Sequence, residues 1–174
     1  MKKVLIVVDM QNDFVDGSLG TREAVAIVPA VAERIRRARA DGTLVIATMD
    51  THGEDYLNTR EGRKLPVRHC IKGTAGWEIN PTVLEALADS IIVEKPTFGS
   101  VKLPELICEA VGVPDEIEVI GLCTDICVVS NALLLKAHFP DAQFVVARAC
   151  CAGVTPEKHE AALETMASCQ IDVV

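Results

Sequence analysis

The sequence predicts an α/β fold: a doubly wound, mostly parallel six-stranded sheet with helices on both faces, a Rossmann-like three-layer sandwich. Three observations predict it. Short β-branched runs alternate with helical patterns along the 174 residues. The runs are apolar throughout rather than alternating, as expected of strands covered from both sides. The length fits one domain, residues 1–174, with a single sizeable core.

The first strand is "KVLIVV" (3–8). Residues 23–40 follow, with Ile27, Val31, Ile35 and Ala38 at helical spacing, then the strand "TLVIATM" (43–49). Residues 50–79 show no apolar periodicity, and so long a loop inside a compact domain is usually functional. "NPTVLEAL" opens a helix with Asn80 as N-cap and Pro81 in the first helical position, and "SIIVE" (90–94) is the third strand. Residues 101–111 read as helix, "IEVIG" (117–121) as strand and 125–138 as helix again. "QFVVA" (143–147), a helix opened by Thr155 and Pro156, and "QIDVV" (170–174) complete the alternation.

Hydrophobic residues make up 49% and charged residues 24%, a balance that folds rather than staying disordered. The formal charge is −8, with no basic stripe, which argues against nucleic acid as a partner. Arg34, Arg36, Arg37 and Arg39 share one helix with acidic neighbours and read as its solvated face. "MKKVLIVVDMQ" holds five apolar residues between its lysines and an aspartate, too few for a signal core or a membrane span, so a cytoplasmic location is expected, with no membrane partner. Seven cysteines, an odd number, read as reduced and mostly buried thiols.

In open parallel sheets ligands bind beyond the carboxyl ends of the strands. Those ends carry Asp9, Asp50 with His52, Lys95, and the stretch holding Cys123 and Cys127. Cys127 falls in the first turn of a predicted helix, where free N–H groups and the helix dipole favour a thiolate and a nearby lysine adds to the effect. Asp9 is placed to accept the thiol proton and return it to a leaving group. A strand-end Asp also caps helices and a strand-end Lys also points to solvent, so position alone leaves a structural role open. In the long loop, Asp50, His52, Glu61 and His69 mix carboxylate and imidazole, ligand types that suit Zn, Mn or Fe. A polar surface loop has the same composition.

The set "VDMQNDF" (8–14), "DTH" (50–52), "LPVRHCIKGTAGWEI" (65–79), "EKPTFGS" (94–100) and "GLCTDICV" (121–128) resembles the isochorismatase-like cysteine hydrolases, which include nicotinamidases, isochorismatases and N-carbamoylsarcosine amidohydrolases. The resemblance runs from residue 3 to about residue 170. It implies a catalytic Asp9, Lys95 and Cys127, a cis peptide at Leu122–Cys123, and an oxyanion hole from the backbone N–H groups of Cys123 and Cys127. Cys123 then contributes backbone rather than sulfur. It further implies a divalent metal ion (Zn, Mn or Fe) on Asp50, His52, a variable third ligand and His69. Glu61 is the choice for that third ligand, with Asp55 and Glu54 as alternatives. The full ligand set points to the nicotinamidase branch, hence to hydrolysis of a small amide through a thioester with release of ammonia, in a homo-oligomer. Nicotinamidases often have an aromatic residue where Pro66 stands here, so a ring-stacking wall falls to Phe14, with Tyr56, Trp77 or Phe98 as further candidates.

Other functions fit less well. An isochorismatase-like or N-carbamoyl hydrolase of another small substrate, or a catalytically silent binding module, shares the fold. A phosphoacceptor signalling domain also has a strand-end Asp and a Lys-Pro, but strand one here ends Asp-Met instead of in an acidic pair, and about eighty residues follow Lys95. A nucleotide-binding oxidoreductase needs a Gly-x-Gly-x-x-Gly cradle after strand one, which is absent.

Overall fold

The computed structural model describes residues 1–174. Its strands are β1 (Lys3–Val8), β2 (Leu44–Asp50), β3 (Ile91–Lys95), β4 (Glu116–Leu122), β5 (Gln143–Ala152) and β6 (Asp172–Val173). They form one sheet in the order β3-β2-β1-β4-β5-β6, and every pairing is parallel, so the sheet is wholly rather than mostly parallel. β1 lies inside it, and Val4 to Val8 are each at most 1% exposed, which is why that run carries apolar residues at consecutive positions. Their side chains join one continuous buried cluster built from the sheet and its helices.

The helices are α1 (Asn12–Val15), α2 (Arg22–Ala40), α3 (Arg60–Lys64), α4 (Pro81–Leu87), α5 (Leu103–Val111), α6 (Val129–His138) and α7 (Pro156–Ser168). α2 packs on α4, and α6 on both α5 and α7. Right-handed crossovers put the first pair on one face and the other three on the opposite face, because the direction of travel across the sheet reverses after β3. The caps at Asn80 and Thr155 are those expected, accepting from Thr82 and Lys158 N–H groups, and Thr21, which the sequence reading did not single out, accepts from Ala24 N–H. No helix is long and apolar enough to cross a membrane.

Three expectations change. The arginines of α2 are not a uniformly solvated face: Arg34 forks onto the buried Glu118 of β4, with Nε 2.9 Å from Oε1, and Arg37 and Arg39 pair with Glu33 and Asp89. The loop at 50–79 contains a 3-10 turn (Tyr56–Asn58) and α3, both too short to show a period in sequence. The last strand shrinks to two residues, because β6 meets only Val145 and Val146 of β5.

Strand order reverses between β1 and β4, which are neighbours in the sheet though far apart along the chain. A crevice opens beyond their carboxyl ends at such a switch point. Register aligns the flanking strands there too, with Val8 opposite Thr48 and Gly121, and Asp50 opposite Lys95.

Candidate active site

Asp9 follows directly on β1. Its φ of +47° lies in the left-handed region, which aspartate tolerates better than most residues, and its N–H is held by the Thr48 carbonyl at 3.2 Å. The Thr48 hydroxyl donates to Asp9 Oδ1 at 2.6 Å. Lys95, the last residue of β3, brings Nζ to 2.6 Å from Asp9 Oδ2, an ion pair set off the line of an aligned hydrogen bond. The same ammonium donates to the Thr97 carbonyl at 3.1 Å and reaches Cys127 Sγ at 3.5 Å. Carboxylate and ammonium are at most 1% exposed and the thiol is 4% exposed, so the group is sealed from bulk water.

Burial sets its electrostatics. Burial raises the Asp9 pKa, and Lys95 recovers only part of the shift. Burial pulls the Lys95 pKa down, yet Asp9, Cys127 and Asp50 outweigh it and keep the ammonium charged. The Cys127 pKa is pushed well up, first by burial and then by Asp9. This runs against the lowered value expected from sequence: Cys127 sits in a five-residue π-helical turn (Thr124–Val128) ahead of α6, and desolvation with Asp9 outweighs the lysine. Burial thus favours the protonated sulfur, with the Asp9 carboxylate close by.

The chain enters that turn through Gly121, with φ at +117°, where a Cβ would lie 2.2 Å from the Val8 carbonyl oxygen; only glycine lets β4 approach β1 so closely. The Leu122–Cys123 peptide is cis. Cys123 is partly exposed, and burial pushes its thiol pKa up to about 12. All seven cysteines are free, but Cys108 and Cys169 are exposed.

Beside this trio, Asp50, His52 and His69 bring ligand atoms within 4.8 Å of one another, all three residues buried. Asp50 Oδ2 is 3.0 Å from His52 Nε2 and 3.6 Å from His69 Nε2. His69 Nδ1 lies 2.8 Å from the Val67 carbonyl, which places the proton on that nitrogen and, in the neutral ring, leaves the Nε2 lone pair free to face a cation. His52 Nε2 is buried without an aligned hydrogen-bond partner, a lone pair that a divalent cation would satisfy. The residues therefore fit such an ion. Glu61 stands further off, 3.7 Å and 4.0 Å from the two imidazoles. Glu54 is turned away into a pair with Arg68, and Asp55 is exposed, so neither alternative joins the group.

A cavity of about 250 Å³ joins the two clusters; Asp50, Glu61, His69, Cys123 and Cys127 line it. Phe14 and Phe98 form aromatic parts of its wall. Tyr56 instead packs against the His52 and His69 rings, donating its hydroxyl to the Leu65 carbonyl, and Trp77 anchors the loop through Nε1 to Thr51. Neither lines the cavity.

A sequence model of the isochorismatase domain matches residues 3–174. The chain belongs to the isochorismatase family. It is a hydrolase of that family, near the nicotinamidase branch. The nicotinamidase/pyrazinamidase of Mycobacterium tuberculosis is 28% identical over 186 aligned positions, covering 99% of this chain and 98% of that protein. The crystal structure of Pyrococcus horikoshii pyrazinamidase in complex with zinc superimposes with a TM-score of 0.85 at 32% identity, over 100% of this chain and 99% of that one. Nicotinamidase/pyrazinamidase from Bacillus subtilis gives 0.86 at 28%, over the whole of both chains.

Several residues of this isochorismatase-family site are not among those singled out from the sequence. Gln11 is wholly buried; its amide donates to the Asp50 and Trp77 carbonyls at 2.8 Å each, and its oxygen accepts from Asp50 N–H. Asp13 accepts from the Cys70 N–H at 2.7 Å and so ties the loop after His69 to α1. Asn131 of α6 accepts from Ser100 N–H and donates to the Phe98 and Cys127 carbonyls. Lys158, in the first turn of α7, lines the cavity. Gln11 and Asp13 lie within the stretch after β1, and Lys158 shortly after β5, so the strand-end rule applied to every strand finds them; nothing local marks Asn131.

Proposed function

We propose that the chain hydrolyses the amide bond of a small, flat amide, of the nicotinamide or pyrazinamide kind, through a thioester on Cys127. Asp9 takes the thiol proton as sulfur attacks the carbonyl carbon; a C–S bond forms and the carbonyl π electrons move to oxygen. The N–H groups of Cys123 and Cys127 receive that oxyanion, an interaction worth about 3–4 kcal/mol per donor where such donors have been removed. Collapse breaks the C–N bond, Asp9 returns its proton to nitrogen, and ammonia leaves. Water then attacks the thioester with Asp9 as base, releasing the acid and restoring the thiol.

The raised Asp9 pKa makes the carboxylate a stronger base toward the thiol, and Lys95 orients it. Asp50, His52 and His69, with Glu61 at longer range, would hold a divalent ion that supplies a Lewis-acidic anchor for a substrate heteroatom. The cavity, below the range of about 300–1,000 Å³ usual for drug-sized ligands, suits a substrate of one ring, with Phe14 and Phe98 offering apolar contact.

A single juxtaposition supports this assignment: Lys95 Nζ lies 2.6 Å from Asp9 and 3.5 Å from the Cys127 sulfur at the wall of a small cavity. The test is ammonia release from a panel of small amides that includes nicotinamide and pyrazinamide. Cys127→Ala should fall to background while keeping its fold, and Cys123→Ala should lose much less. Substantial turnover by Cys127→Ala would remove the nucleophile assignment.

A further inference from the structure

The nucleophile turn is fastened from behind. Thr124, the first residue of the π-helical turn, is wholly buried, and its Oγ1 lies 2.7 Å from Nδ1 of His159 in α7. One residue on, Asp125 Oδ1 accepts from the Val154 N–H at 2.9 Å. Between these contacts runs Gly153, where a Cβ would come within 2.8 Å of the His159 amide nitrogen and 2.9 Å of Asp125 Oδ1. The chain from β5 into α7 is thus pressed against the segment that carries Cys123 and Cys127.

We propose that His159 is a positioning residue for the nucleophile: through Thr124 it holds residues 123–127 so that the Cys127 sulfur and the neighbouring amides face the substrate. The inference rests on Cys127 being the nucleophile. Of the two fastenings, the one at Asp125 joins a side chain to backbone; the one at Thr124 joins two side chains and so depends on the identity of both. His159 is removed from the reacting atoms and faces Glu160, 4.0 Å from its Nε2, with Arg148 and Asp125 as the other nearby charges. Burial, helped by Arg148, lowers its pKa against the opposing pull of Glu160 and Asp125. The ring is neutral at physiological pH and free to hydrogen-bond with the threonine hydroxyl. A turn that shifts even slightly loses rate more than binding, since misplacing reacting groups by about 1 Å can cost about a hundredfold.

The experiment compares substitutions that keep or remove one atom. In His159→Asn the amide takes the place of Nδ1, whereas in His159→Gln it takes that of Nε2. Thr124→Ser keeps the hydroxyl and Thr124→Val removes it. Expected are losses of about tenfold or more in kcat for His159→Gln and Thr124→Val, with KM within about twofold, and near-normal kcat for His159→Asn and Thr124→Ser. The double variant Thr124→Val/His159→Gln should be no slower than the worse single one, because both remove the same bond. Equal rates for the Asn and Gln variants, losses that multiply in the double variant, or KM rising at constant kcat would each overturn the proposal. Cys127→Ala run alongside separates the two levels: activity there defeats the nucleophile assignment, whereas an inactive Cys127→Ala with a normal His159→Gln defeats only the role of His159.

Discussion

Asp50 is the residue on which the two halves of the site meet: Oδ2 faces the imidazoles of His52 and His69, and Oδ1 lies 3.6 Å from Lys95. Burial alone would raise its pKa, yet the two histidines and Lys95 hold it below the usual carboxylate range. For His69, burial works downward but is outweighed by Asp50 and the Val67 carbonyl, so the pKa rises. A proton on that ring competes with a cation, so metal loading should weaken as pH falls through the raised His69 value and recover above it. Protein purified without chelator or a histidine tag is expected to carry about one equivalent of Zn, Mn or Fe, and His52→Ala to lose it. Metal analysis by plasma mass spectrometry checks both, and an ion-free wild type removes the ligand assignment. The residues legible at this scale are those whose chemistry announces itself at strand ends: Asp9, Asp50, Lys95 and Cys127. The sign of the Cys127 shift was not legible, because desolvation depends on what packs over the sulfur and not on its place in a turn.

At the scale of elements, Asn131 joins α6 to the loop after β3. Its three hydrogen bonds span Phe98, Ser100 and Cys127, and the Ser100 amide it satisfies belongs to a buried residue. Asn131→Ala should therefore destabilise the fold by about 2–3 kcal/mol, as a buried group left unpaired does, and lower turnover as well, since the loop it holds begins beside Lys95. Urea unfolding and steady-state kinetics on the same preparation would show it; an unchanged midpoint would mean that water replaces the amide. Long periodic elements such as α2 were readable from their apolar spacing, and Asn80 and Thr155 marked the starts of α4 and α7, whereas the α2 cap, Thr21, was not singled out. The five residues of α3 were not, having too few turns to display a period. Nor was the partner of Arg34, since Glu118 lies on β4, 84 residues away.

For the molecule as a whole, apolar runs and their alternation with helices carry the fold class, while strand order comes from handed crossovers that no single segment encodes. Packing also buries thiols. Cys123 and Cys151 are pushed up to about 12 by burial, and Cys70 and Cys127 are raised as well. Each such thiol binds its proton more tightly in the folded chain, so its contribution is complete below the unfolded value of 9.0 and lost as pH climbs toward the folded value. Between pH 9 and 12, stability should decline by about 1.4 kcal/mol per pH unit for each of Cys123 and Cys151, and Cys151→Ala should have a shallower decline. Urea midpoints at pH 8 and pH 10 test this, and equal midpoints contradict it.

The sheet also delivers Lys95 from its outermost plank. β3 pairs with β2 alone and leaves Ile91 and Ile92 at 36% and 43% exposure, so of the three strands that end at Asp9, Lys95 and the Cys127 turn it has least to lose by peeling away. In mild denaturant the enzyme should fall silent before its helices melt, with activity fading at lower urea than the circular dichroism signal. Coincident curves would show that this margin is as firmly nailed down as the middle.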